Sequence, residues 1–461
     1  MLIHRSSVLA SCLAGLMSLA MSAGNANAAP PSEEHPVLRD IAAAVSPVEL
    51  QATLVKLVSF GTRHTLSDTQ SDSRGIGAAR RWVNARFQQI SQDCGGCLQV
   101  ITPSQTFTGE RMPKDGAQVM DVVAIQRGTS DPDRYVIMTA HLDSRVSDIM
   151  NAVSDAPGAD DDGSGVAAVL EAARLLSKYK FSASVVYAVL SGEEQGLYGG
   201  KLLAQYAHDQ HWYVEADLNN DIVGNIQGQN GLIDNTEVRV FSEGTRATET
   251  ADQAKRRRYN GGEVDSASRN LARYMRALAE DYIPDWQVRL VYRTDRYGRG
   301  GDHVAFNELG FPALRVTEAN ENYTRQHQDV RVENGVHYGD VLSGVDLPYL
   351  AKIAGMNAIT LASMAWAPAP PTGVDIQGAV TPDTTLSWDS PQDKAADDVA
   401  GYRVYWRLTT EPAWTHSRYT DKASRYILQD VSIDDYFFGV SSLSKDGFAS
   451  PVVFPGATGA F

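Results

Sequence analysis

His141-Leu142-Asp143-Ser144, Pro157-Gly158-Ala159-Asp160-Asp161-Asp162-Gly163-Ser164-Gly165 and Ser191-Gly192-Glu193-Glu194-Gln195-Gly196 are the stretches that decide the reading of this 461-residue chain. The apolar run 135–140 ends at His141, and the run 185–190 stops just short of the glutamate pair. In an α/β sheet, ligands bind at the carboxyl ends of the strands. Imidazole and carboxylates without thiolate suit zinc in an open, catalytic site.

Working outward, Val166, Val169, Leu170, Ala173 and Leu176 follow the aspartates on one helical face. A further strand-like run ends at Leu218-Asn219-Asn220-Asp221. Residues 237–241 and 312–317 read as strands, the second leading to Tyr323 and His327. Upstream, Leu50, Leu54, Leu57 and Val58 recur at helical spacing, with Ser46 as the cap and Pro47 in the first turn. A second helix is expected over about 75–90, then strands near 98–107 and 119–126. Long helices are expected over about 266–279 and 347–364. Strand–helix alternation through residues 29–366 predicts an α/β domain built on a doubly wound, mostly parallel sheet.

Trp366-Ala367-Pro368-Ala369-Pro370-Pro371 then reads as a stiff linker, with the domain boundary over 367–371. After it the apolar pattern changes to period two: Leu386 and Trp388, then Tyr402, Val404 and Trp406, then Tyr436, Phe438 and Val440. Asp446-Gly447 supplies a turn. Residues 372–461 are therefore expected to form a small all-β sandwich, with a spacing that resembles a fibronectin type III module. No metal-ligand cluster occurs after Pro370. The module is expected to be an accessory unit for a surface or polymer, dispensable for chemistry.

With 43% apolar and 21% charged residues, the composition is that of a globular protein. The net charge of −15 argues against nucleic acid as a partner, because phosphate binding needs a positive face. Residues 1–28 read as a signal peptide: Arg5, an apolar stretch over 8–21, then Ala26-Asn27-Ala28 as a cleavage pattern. A secreted or periplasmic location follows. That stretch is shorter than the ~20 residues a membrane span needs, and nothing later is long enough. Residues 29–36, rich in proline and glutamate, are expected to be disordered. In an exported chain Cys94-Gly95-Gly96-Cys97 is expected to close a local disulfide, with redox chemistry as the alternative.

Two hydrolytic metals sit roughly 3.5–4 Å apart and share a bridging carboxylate. Each also needs an imidazole and a further carboxylate, and a free carboxylate must act as base. The strand ends offer His141, Asp161, Glu193 with Glu194, Asp221 and His327. Asp160 and Asp162 read instead as turn and cap residues. His208 and His211 have no acid partner in a suitable context and read as surface residues.

This ordered set, extended by Glu194-Gln195-Gly196-Leu197-Tyr198-Gly199 and by His327 after Tyr323, resembles the co-catalytic dizinc aminopeptidases of the bacterial leucyl aminopeptidase type. Glutaminyl cyclases, glutamate carboxypeptidases and the transferrin receptor ectodomain are relatives of that family. The resemblance covers about residues 40–365. It implies two zinc ions per chain, with Asp161 bridging them. His141 and Asp221 would complete one site, Glu194 and His327 the other. Glu193 would be the base, and Asp143 would hold the His141 ring. The segment Arg325-Gln326-His327-Gln328-Asp329-Val330 departs from the family, which more often has threonine after the aspartate; His337 is the fallback ligand. Gly300-Gly301-Asp302-His303 resembles a loop near the substrate, with no role assigned. The implied activity is removal of amino-terminal residues from peptide or protein substrates. The resemblance leaves three alternatives: a one-zinc glutaminyl cyclase, a carboxypeptidase with a cationic pocket, and a non-catalytic, receptor-like binding protein.

Overall fold

The computed structural model describes residues 30–391 and 395–461, so the expected signal peptide lies outside the described residues. The chain opens with α1 (Pro36–Ala43), α2 (Pro47–Val58) and α3 (Gly75–Asp93). Ser46 caps α2 as its sequence predicts, Oγ accepting from the Glu49 amide at 3.3 Å. The periodic Leu50, Leu54 and Leu57 face the core. Cys94 and Cys97 are joined by a disulfide directly after α3.

Four short strands follow: β1 (Leu98–Ile101), β2 (Ser104–Phe107), β3 (Ala117–Met120) and β4 (Val122–Gln126). The sequence suggested two longer ones. Pro103 interrupts the first, since it has no amide to donate. Asp121 interrupts the second: its amide donates to the Pro103 carbonyl and its carboxylate turns inward to the Ser191 amide. β2 and β3 consequently pair as a separate hairpin.

The core then alternates β5 (Asp131–His141), α4 (Gly163–Leu176), β6 (Ala183–Leu190), α5 (Glu193–Gly196), α6 (Tyr198–Asp209) and β7 (Tyr213–Asn220). It continues through β8 (Glu237–Ser242), α7 (Ala251–Asn260), α8 (Ala267–Tyr282), β9 (Gln287–Val291), α9 (His303–Glu308) and β10 (Ala313–Glu318). A hairpin of β11 (Arg331–Glu333) and β12 (Val336–Tyr338) precedes the long α10 (Leu347–Trp366). The eight-stranded sheet has the order β1-β4-β6-β5-β7-β10-β8-β9. Its centre, β6-β5-β7-β10, is parallel, as is β8-β9. The pairings β1-β4, β4-β6 and β10-β8 are antiparallel, so the sheet is mixed.

Strand alternation divides the apolar residues between two faces. Val136, Met138 and Ala140 join α2, α4 and α10 in the larger core, while Tyr135 and Ile137 meet α6 and α9 on the other face. Helix α7 left no apolar signal because it buries nothing; a Thr250–Gln253 capping box starts it.

Beyond α10, β13 (Thr372–Gln377), β14 (Thr384–Asp389), β15 (Val399–Leu408), β16 (His416–Thr420), β17 (Arg425–Leu428) and β18 (Tyr436–Ser444) form two three-stranded antiparallel sheets. Leu386, Trp388, Tyr402, Val404 and Phe438 fill the space between them. The proline segment does not hold this unit at a distance. Phe448 enters the larger core of the α/β unit and stacks on His35 at 3.9 Å. Asp265, buried at the seam, pairs with Arg273 at 2.8 Å and with Arg407 of β15 at 2.6 Å. The Ala367 carbonyl accepts from Arg134 Nη2 at 2.6 Å. Residues 30–35 are likewise tied down rather than loose. The His35 amide donates to Tyr282 Oη at 3.0 Å, and Glu33 pairs with Arg403. Composition reports local stiffness or polarity and is blind to such distant partners. Among the described residues, no single helix is long and apolar enough to cross a membrane.

Candidate metal centre

The carboxyl ends of the adjacent strands β6, β5 and β7 converge. His141 is the last residue of β5, Asp221 follows β7, and Glu193 opens α5 just after β6. Gly192 makes that corner at φ 81°, in the left-handed region that glycine enters without strain. Asp161 precedes α4, whose cap is Asp162, accepting from the Gly165 amide at 2.9 Å.

Two groups of donor atoms result, each lying within 4.8 Å of one another: His141, Glu193 and Asp221 in one, Asp161, Glu194 and His327 in the other. Asp161 stands between them. Its Oδ1 is 3.1 Å from His141 Nε2, and its Oδ2 is 2.9 Å from His327 Nε2. One carboxylate therefore faces both imidazoles. His141 Nε2 lies 4.0 Å from Asp221 Oδ1, and His327 Nε2 lies 3.1 Å from Glu194 Oε1. Glu194 Oε1 is buried without a hydrogen bond, an arrangement a bound cation would satisfy. A pure nitrogen and oxygen donor set with a shared carboxylate fits a pair of zinc ions.

Glu193 and Glu194 differ in surroundings. Glu194 is 4% exposed, while Glu193 is half-buried and lines the cleft above. Burial pushes the Glu193 carboxyl well above its usual range; the pull of His141 opposes this, and Glu194, Asp221 and Asp302 add to it.

Asp143 meets the His141 ring more closely through its carbonyl oxygen than through its carboxylate. The ring Nδ1 lies 2.9 Å from the Asp143 carbonyl oxygen, with the carboxylate at 3.7 Å. That carboxylate accepts from the amides of Gly192, Glu193 and Glu194 at 2.9, 3.3 and 3.2 Å, and from Thr65 Oγ1 at 2.8 Å. It sets the glutamate turn. Asp162 also accepts from the His141 amide at 3.0 Å, and Asp160 accepts from the Gly224 amide at 2.7 Å. The peptide between Asp161 and Asp162 is cis.

His337 lies exposed on β12, outside both groups. His303 is buried, with Nε2 2.8 Å from the Thr294 carbonyl, and also outside both groups. His208 and His211 are at the surface. Three residues escaped the sequence reading. Arg145 Nε donates to Glu194 Oε2 at 2.8 Å, and Arg145 Nη2 lies 2.6 Å from His327 Nδ1. Arg315 Nη1 is 2.6 Å from Asp221 Oδ2. Asp340 accepts from the Asp160 and Asp161 amides at 2.9 and 2.7 Å. Arg315 alone left a trace: a cation inside the otherwise strand-like Ala313-Leu314-Arg315-Val316 must find a buried partner.

An α/β sheet with these donors at its strand ends is an architecture that fits a zinc metallopeptidase. Residues 121–335 match the model of peptidase family M28. A "Probable zinc metalloprotease" of Pyrenophora tritici-repentis is 40% identical over 430 residues, covering 92% of this chain and 87% of its own. Another protein so described, from Leptosphaeria maculans, is 41% identical over 437 residues, covering 94% and 99%. This chain belongs to peptidase family M28. The fold is shared with the LapA aminopeptidase of Legionella pneumophila, at a TM-score of 0.52 and 20% identity over 73% of this chain and 76% of that one. LapB from the same organism gives 0.54 and 18% over the same shares.

Proposed function

We propose that this protein is a dizinc exopeptidase that removes amino-terminal residues from peptides. The observation that carries this reading is Asp161, whose two oxygens face His141 and His327 from opposite sides. A one-metal site would not need a carboxylate so placed. His141, Asp161 and Asp221 would hold one zinc, and Asp161, Glu194 and His327 the other. When bound, the ions would supply Lewis acidity and make water a nucleophile at neutral pH.

The chain's own groups do the rest. Glu193 stands at the cleft wall, and burial gives it a higher proton affinity than a free carboxylate, the direction a general base requires. It takes the proton from the attacking water and returns it to the departing amine. Asp143 keeps the Glu193–Glu194 turn in register with His141 through three amides. Work outside the cytosol is supported by the amino-terminal signal pattern and by the Cys94–Cys97 disulfide.

The test is a panel of aminoacyl anilides and their amino-blocked counterparts, run before and after chelation. Cleavage of the unblocked members, lost on chelation and restored by zinc, is expected. Cleavage confined to amino-blocked substrates, or unaffected by chelation, contradicts the reading.

A further inference from the structure

The cleft over the two donor groups has a volume of about 560 Å³. Asp161, Glu193, Glu194 and Asp221 are its acidic residues; Arg111, Arg145, Arg296 and Arg299 stand around them. No lysine and no other carboxylate lines it among the described residues. On the metallopeptidase reading, on which this inference rests, zinc ions neutralise the acidic floor. The arginines are then in excess.

Their own partners do not absorb that excess. Arg296 and Arg299 converge on one oxygen of Glu321, at 3.3 and 2.9 Å, while Arg239 takes the other at 2.9 Å. One carboxylate is thus shared by three guanidiniums, and only Arg296 has a second, Asp295, at 3.0 Å. Arg299 uses a single N–H on Glu321, and its side chain is 34% exposed. Arg111 has a carbonyl partner alone, that of Glu194, at 3.1 Å. A guanidinium carries five donors in a planar fork. Two of the four therefore have most of their donors unspent at the cleft, where charge of one sign is focused by the low-dielectric walls. That fork matches a carboxylate in bidentate geometry.

We infer that the cleft selects substrates presenting a carboxylate beside the scissile bond, with Arg111 and Arg299 as its recognition groups. An acidic side chain and the free terminal carboxyl of a short peptide offer the same chemistry.

Two matched pairs separate these sources in the intact zinc-loaded protein. Glutamyl and glutaminyl 4-nitroanilide test the side chain; dialanine and its carboxamide, both with a free amino terminus, test the terminal carboxyl. In one arm the acid member should have the higher kcat/KM, expressed mainly in KM, by roughly tenfold to a hundredfold, the scale of a charged hydrogen bond. Arg299→Ala and Arg111→Ala should bring that ratio towards one. Arg258→Ala, on the exposed helix α7, should leave it unchanged. Calorimetric affinities for the acid and the amide provide a readout that needs no turnover. Equal affinities in both arms, or an acid preference that survives in Arg111→Ala/Arg299→Ala, overturn the inference. Tighter binding of the acids with no cleavage of any substrate supports the inference and sinks the peptidase reading.

Discussion

Arg315 Nη1 lies 2.6 Å from Asp221 Oδ2, in a fully buried pair beneath the first donor group. The same nitrogen is 3.5 Å from Asp295 Oδ2. One oxygen of Asp221 is therefore committed to the guanidinium, which leaves Oδ1 towards His141. Arg315→Met removes the buried cation from Asp221, while Asp295 keeps Arg296 at 3.0 Å. Removing one partner of a buried pair costs about 3–5 kcal/mol. Denaturant unfolding should show a loss of that order, and zinc content should fall because Asp221 is no longer oriented. Unchanged stability and metal content would contradict this.

The adjacent glutamates should separate cleanly. Glu193→Gln keeps shape but not the basic oxygen, and loss of a general base typically costs ~10²–10⁴ in rate. Zinc content should stay near the starting value. Glu194→Gln should lose zinc instead, since its Oε1 adjoins His327 Nε2 at 3.1 Å. Metal analysis and turnover of both variants decide; the opposite pattern would exchange the two roles.

Much of this site was legible because its donors sit in short motifs at strand ends. His141 ends β5, Glu193 and Glu194 open α5, and Asp161 and Asp221 lie just outside α4 and β7, so local pattern places them. His327 was harder, since it lies in a loop with an atypical neighbourhood, and only the fold separates it from His337. Asp143 shows a different limit: sequence identifies the residue but not which of its oxygens meets the ring. Arg145, Arg315 and Asp340 act across gaps of 49, 94 and 179 residues, where no spacing rule applies. The polar helix α7 and the break at Asp121 escaped because their causes are a cap and tertiary bonds rather than periodicity, whereas the break at Pro103 was open to the sequence, since proline has no amide to donate.

The carboxy-terminal unit offers a case where sequence and structure expect different results. Composition suggests a spacer and a dispensable module. The seam instead buries Phe448 in the α/β core and pairs Asp265 with Arg407 at 2.6 Å. A chain ending at Pro368 should lose both, exposing apolar surface and an under-compensated carboxylate. Its melting temperature should drop well below that of the full chain, with activity lost through unfolding. An unchanged midpoint with full turnover would restore the modular reading.

Glu243 provides a pH test away from the metal centre. Burial raises its carboxyl from 4.5 to about 8, against the pull of Arg246 and Arg269. A raised folded-state value favours the folded state most when the group is protonated. That contribution is fully present below 4.5 and is lost as pH climbs through about 8. Glu243→Gln removes the titration. Its unfolding midpoint relative to the parent should therefore rise between about pH 5 and pH 9. A pH-independent difference between the two proteins would contradict the assignment.

The sharing of one carboxylate by two zinc ions is tested most directly by the metal content of Asp161→Asn. Purified protein and variant are dialysed at the same free zinc, and zinc per chain is measured together with circular dichroism. Two ions are expected in the parent, with both sites depleted in a folded variant, because Asp161 faces His141 and His327 alike. Retention of two ions by the variant, or a single ion in the parent, would contradict it.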